Sequence, residues 1–168
     1  NAPPLRGLMM SQVLRAAQIP YKVSGGQSFF ERAEIRDLCA WLRLLVNQDD
    51  DPAFLRAVAV PKRGVGQTTL AKLSEVAAAR HESLAAAIHA PGFAAAAQAR
   101  AHATLVEFAR MIDGLRHRAP REPAGRLIDE LLRAIGYEDH LLTTFDKREA
   151  AAKIESVRDF TGWLARKG

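Results

Sequence analysis

Residues 60–70, Val60-Pro61-Lys62-Arg63-Gly64-Val65-Gly66-Gln67-Thr68-Thr69-Leu70, decide how the chain is read, because they set a short glycine hairpin between two helical patterns. Pro61 has no N–H and biases Val60 away from the helical region, so it closes the helix before it. Gly64 and Gly66 bracket one small apolar residue. Residues without side chains permit a tight turn with unusual dihedrals and leave the backbone open to another molecule. A helical pattern then opens at Gln67, Thr68 and Thr69 and runs on through Leu70 and Leu73. The free N–H groups of that first turn point outward and carry the positive end of the helix dipole, which suits a phosphate. Lys62 and Arg63 add full charges on the approach, and Lys72 lies near the hairpin. Such a corner suits a nucleic-acid backbone and reads no bases.

The segment before the hairpin, Asp51-Pro52-Ala53-Phe54-Leu55-Arg56-Ala57-Val58, offers Asp51 as an N-cap, a proline at the first helical position, and apolar residues at Phe54, Leu55 and Val58. Helix, glycine hairpin and helix over residues 51–80 resemble a helix-hairpin-helix element, which grips duplex DNA through main-chain amides without sequence preference. The plainer alternative is that Gly-x-Gly ahead of a helix is only a turn.

Outward from this element the periodicity is mostly helical, with no strand strong enough to build a sheet. Ile35, Leu38, Leu42 and Leu45 form one apolar stripe, widened by Cys39, Trp41 and Val46, while Arg32, Glu34, Arg36 and Arg43 lie elsewhere on that helix. Ser28 and Glu31 have capping-box spacing; alternatively Phe29-Phe30 is an aromatic plug and the helix starts near Arg32. Ser24-Gly25-Gly26-Gln27 reads as a loop, Tyr21-Lys22-Val23 as a short extended piece, and the stretch from Pro3-Pro4 through Leu14 as a helix that stops before Ile19-Pro20. Downstream, Leu70, Leu73, Val76 and Ala77 face inward on a helix from Gln67 to about Arg80. Ser83 caps a short helix from Leu84 to His89 that Pro91-Gly92 breaks, and a long helix is predicted from Ala94 to Arg118 with Leu105, Phe108, Ile112 and Leu115 on one face. A charged linker, Arg118 to Pro123, leads to a helix closed by Gly136, then a short one from Tyr137 to Leu142 and a last one capped by Asp146. The fold class is all-α, a compact multi-helix domain spanning residues 1–168.

Composition narrows the function. A length of 168 residues fits one domain, and 24 Lys plus Arg against 19 Asp plus Glu give a formal charge of +5. That modest basic excess fits an acidic partner such as DNA. The single Cys39 excludes an internal disulfide framework and a thiolate-clustered zinc site, and its place four residues after Ile35 makes it core filler. No apolar run approaches the about 18 residues that span a bilayer, and no secretory segment opens the chain. Gly25-Gly26 lacks the Gly-x-x-x-x-Gly-Lys-Ser/Thr frame of a phosphate loop, so no nucleotide is expected there. Asn47-Gln48-Asp49-Asp50-Asp51 lacks calcium-loop spacing and reads as a turn and cap, while His81, His89, His102, His117 and His140 share no metal-ligand spacing. With no carboxylate pair, His–carboxylate pair or activated nucleophile, the chain reads as a binding module with no catalytic residue, cofactor or metal of its own.

Several blocks follow one another in the order seen in superfamily 1 DNA helicases of the UvrD/Rep/PcrA group, which the chain resembles. They are Ile19-Pro20-Tyr21-Lys22-Val23-Ser24-Gly25-Gly26, Ser28-Phe29-Phe30, Glu34-Ile35-Arg36-Asp37, Leu42-Arg43, Asp49-Asp50-Asp51 with Phe54-Leu55-Arg56, and Val60 to Gly66. The likeness is specific from Gln12 to Leu84 and looser beyond, and the Asp-rich turn and the Leu70–Ser83 segment are most similar to the Rep branch. It implies the 2B accessory subdomain inserted in the second ATPase core, with residues 1–23 as the tail of the preceding core segment. The parent would be a 3′–5′ ATP-dependent DNA helicase of replication and repair, in the bacterial cytoplasm at the nucleoid, using ATP and Mg that this segment does not hold. The implied partners are duplex DNA at a single-strand/double-strand junction and the rest of the helicase chain, with no membrane. The implied DNA contact is Arg63, Gly64, Val65, Gly66, Gln67 and Thr68, with Lys62, Thr69 and Lys72 beside them. The block Tyr21, Gly25, Gly26, Phe29, Phe30, Glu34 and Asp37 is expected to pack against the helicase core. Two alternatives stand beside this: a protein-interaction module docking through the alanine-rich helix from Ala94, and a helix-hairpin-helix repair enzyme, which would need a catalytic lysine or aspartate near the hairpin.

Overall fold

The computed structural model describes residues 29–167, so the expected helix from Pro3, the extended piece at Tyr21 and the Gly25-Gly26 loop lie outside it. A single 3-10 turn, Phe29–Glu31, leads into α1 (Ala33–Val46), followed by α2 (Asp51–Ala59), α3 (Gln67–Arg80), α4 (Leu84–Ala87), α5 (Pro91–Ala96), α6 (Ala99–Arg118), α7 (Ala124–Ile135), α8 (Tyr137–Thr144) and α9 (Lys147–Lys167). The described residues contain no strand.

The molecule is built around α1. Its apolar stripe is wide enough to bury Ile35, Leu38, Trp41, Leu42 and Leu45 together, so α2, α6 and α9 all pack on it. Phe29 and Phe30 do form an aromatic plug: their rings lie 5.3 Å apart, and Phe160 of α9 stacks on Phe29 at 6.4 Å while Trp163 meets Phe30 at 6.1 Å. Where α9 passes α7, Gly125 lies so close that a Cβ would stand 3.1 Å from the Cβ of Ala165.

Polar groups buried on α1 find partners in neighbouring helices. Asp37 accepts from Arg56 Nε of α2 and from Tyr137 Oη of α8, each at 2.9 Å. Burial nonetheless raises its pKa above the ordinary carboxylate value, against the opposing pull of these two partners. Glu34 pairs with Lys153 at 3.4 Å, and Arg32 donates to Ser156 Oγ at 2.6 Å, both on α9. The described part of the block expected to face a helicase core therefore makes contacts within this chain.

Of the boundaries that differ from expectation, two change the packing. The N-cap of α2 is Asp50, which accepts from the Ala53 amide at 3.1 Å, and Asp51 is already helical. Asp51 instead accepts from the Leu84 amide at 3.0 Å, and Asp49 from Ser83 Oγ at 2.6 Å. The acidic turn thus staples the start of α2 to the start of α4. Secondly, the predicted helix from Ala94 to Arg118 is two helices, parted by the extended residues Ala97 and Gln98. Alanine favours helix but gives little to bury; the buried Phe93, packed on the His102 ring at 5.7 Å, decides the path. The αL residue Gly136 (φ 66°) closes α7, and Asp146 caps α9 through the Glu149 amide at 2.8 Å, both as the sequence indicates.

Candidate nucleic-acid interface

The hairpin between α2 and α3 is one exposed corner of the molecule. Val60 leaves α2 in an extended conformation, the Val60–Pro61 peptide is cis, and Gly64 turns the chain at φ +77°, a region open to glycine and strained for other residues. Val60 and Val65 are partly buried against the core, which fixes the loop from beneath. Gly66 is the N-cap of α3 and has no side chain to satisfy the first turn. The first intrahelical bond is Leu70 N–H to Gly66 C=O at 3.1 Å. Among the described residues, the amides of Gln67, Thr68 and Thr69 have no hydrogen-bond acceptor. Gly66, Gln67 and Thr68 are exposed and Thr69 is half-buried.

The two glycines differ in what the fold asks of them. Gly64 needs its positive φ, although the space around it is open. Gly66 has ordinary extended dihedrals (φ −91°, ψ 177°) and nothing within 4 Å of where a Cβ would sit. The fold itself does not require glycine there; what its absent side chain does is leave the α3 amides uncovered.

The three expected cations part company. Lys62 is exposed and, among the described residues, makes no hydrogen bond. Arg63, expected at the phosphate, turns inward. Its Nη1 donates to the carbonyls of Ala57 at 2.9 Å, Val58 at 3.2 Å and Pro61 at 2.9 Å, and its guanidinium lies over the rings of Trp41 and Phe108 at 5.1 and 5.0 Å. Burial pushes its pKa down to about 10, which still leaves it charged at neutral pH. Lys72 is also engaged, donating to the carbonyl of Ala96 at the end of α5 at 3.1 Å. The hairpin therefore exposes Lys62, Gly64, Gly66, Gln67 and Thr68, with Thr69 half-buried, while the side chains of Arg63, Val65 and Lys72 serve the fold.

Residues 8–91 match the UvrD-like helicase C-terminal domain. The chain belongs to that family. Its relatives include the ATP-dependent DNA helicase Rep of Salmonella typhimurium, 40% identical over 157 residues, covering 93% of this chain and 23% of that protein. Rep of Escherichia coli is 38% identical over the same shares, and PcrA of Bacillus subtilis is 35% identical over 152 residues, covering 90% of this chain and 20% of PcrA. This UvrD-like segment thus spans less than a quarter of the length of these relatives.

The UvrD-like chain places other residues beside the corner that spacing did not single out. His140, Thr143 and Thr144 of α8 line a groove with Pro61 and Lys62, and Asp139 is its acidic member. They lie far along the chain from Pro61 and Lys62, so no local pattern links them to the hairpin. Elsewhere the chemistry is quiet. Burial pushes the Cys39 thiol up to about 11, leaving it protonated at neutral pH. Among the described residues, no three His, Cys, Asp or Glu side chains gather as a metal site, and no helix is long and apolar enough to cross a membrane.

Proposed function

We propose that this chain is the 2B accessory subdomain of a Rep-like 3′–5′ ATP-dependent DNA helicase of replication and repair, and that it contacts the duplex at a single-strand/double-strand junction. The observation that carries the reading is the exposed start of α3: three first-turn amides without acceptors, under a glycine cap that nothing in the fold requires, with the exposed Lys62 four residues before that cap in the same loop. A phosphate completes those donors and sits at the positive end of the helix dipole. Gly64, Val65, Gly66, Gln67, Thr68 and Thr69 then form the seat by their backbone, Lys62 supplies the free charge, and Arg63 and Lys72 support the seat from behind. The ATP and Mg of the parent bind in other parts of the helicase, whose remaining chain is the second partner. Its setting is the bacterial cytoplasm at the nucleoid.

Titration with labelled duplexes carrying a single-stranded overhang tests this. Binding is expected to be weak, independent of sequence, and steeply weakened by salt, because affinity comes from phosphate neutralisation. Lys62→Ala should lower affinity equally on every sequence and reduce the salt slope by about one unit. Unchanged affinity and slope at low salt in that variant would remove the hairpin from the contact.

A further inference from the structure

We infer that Arg63 is the positioning residue of this hairpin: its guanidinium holds the loop in the shape that uncovers the α3 amides and makes no phosphate contact itself. The inference rests on the duplex-seat reading above for its consequence, and on geometry alone for the strut. Ala57 and Val58 belong to the last turn of α2, whose carbonyls have no acceptor role left inside the helix, and Pro61 belongs to the loop. One Nη1 group therefore ties the end of α2 to the loop that follows it. The same guanidinium rests on Trp41 of α1 and Phe108 of α6, both buried, so the hairpin is keyed to two helices of the core through one side chain. Its positive charge also stands at the negative end of the α2 dipole.

The chain geometry explains how adjacent basic residues take opposite roles. Arg63 points in, Gly64 reverses the backbone at φ +77°, Val65 packs in, and Gly66 is left exposed at the start of α3. Lys62, one residue earlier, remains on the surface. Lysine does not replace arginine in this task, because a single ammonium lacks the planar fork and the flat face that meet carbonyls and rings together. At a phosphate, by contrast, lysine supplies the same charge.

Two measurements test the assignment. In duplex titrations across a salt series, Arg63→Lys should weaken binding about three- to tenfold, the cost of ordering a loosened loop, with the salt slope unchanged. Lys62→Ala should reduce the slope by about one unit. In the unaltered protein, nitrogen-edited NMR of the Arg63 guanidinium should show separate, slowly rotating Nη signals that stay in place when duplex is added. This second readout does not depend on any variant folding. Arg63→Lys binding within twofold of the unaltered chain, or Arg63 signals that are averaged or move on adding duplex, would overturn the strut. Absence of any salt-dependent duplex binding by the unaltered chain would instead overturn the duplex seat, and the guanidinium signals would still decide the strut.

Discussion

Gly64 and Gly66 sit two positions apart and answer to different demands. At Gly64 the backbone is in the left-handed region, where an L side chain is strained whatever the free space around it. Gly64→Ala should therefore lower stability by about 1–2 kcal/mol, read from the denaturant midpoint at an unchanged slope. No loss of stability would mean the turn relaxes to another shape. At this scale the glycine pair was legible in the sequence, because glycines flanking one residue before a helix signal both turn and access. The direction of Arg63 was not. Spacing shows that a charge is present but not whether its side chain follows the exposed or the buried side of a turn, and only the position of Trp41 and Phe108 beneath the loop settles that.

At the scale of elements, helix ends do most of the organising. The acidic turn between α1 and α2 spends one carboxylate on capping α2 and two on the start of α4, which sets α4 beside α2. Asp50→Ala should cost about 1 kcal/mol in an unfolding titration, the usual value of an N-cap. Asp49→Ala, which breaks only an exposed bond to Ser83, should cost less; the reverse order would shift the capping role back toward the neighbouring residues. The sequence showed that this turn caps a helix, but missed the cap by one residue, since three adjacent aspartates offer equivalent caps until the register of α2 is fixed by burial of Phe54 and Val58. It also joined α5 to α6, because an alanine run reads as helix and the pull of one buried Phe93 is not a local signal.

For the whole molecule, the all-α class followed from the 3.6-residue period, whereas the pairing of helices did not, since it depends on contacts between distant residues such as Asp37 with Tyr137 and Gly125 with Ala165. The close passage of α7 over α9 tests that packing. Gly125→Val should destabilise by about 1–3 kcal/mol, because the added carbons meet backbone as well as side chain of Ala165. A neutral result would show that the helices can part there without loss. The assembled core carries the hairpin as an exposed corner, and the proposed seat is its set of uncovered amides. Gly66→Asp addresses this most directly. An aspartate N-cap would bond the first-turn amides itself and place a negative charge at the proposed phosphate seat, while the open space around Gly66 accommodates it. The expected result is a fold as stable as before or firmer by a few tenths of a kcal/mol, with duplex affinity at low salt reduced more than about tenfold. A folded Gly66→Asp protein that binds duplex as tightly as the unaltered chain would contradict the account.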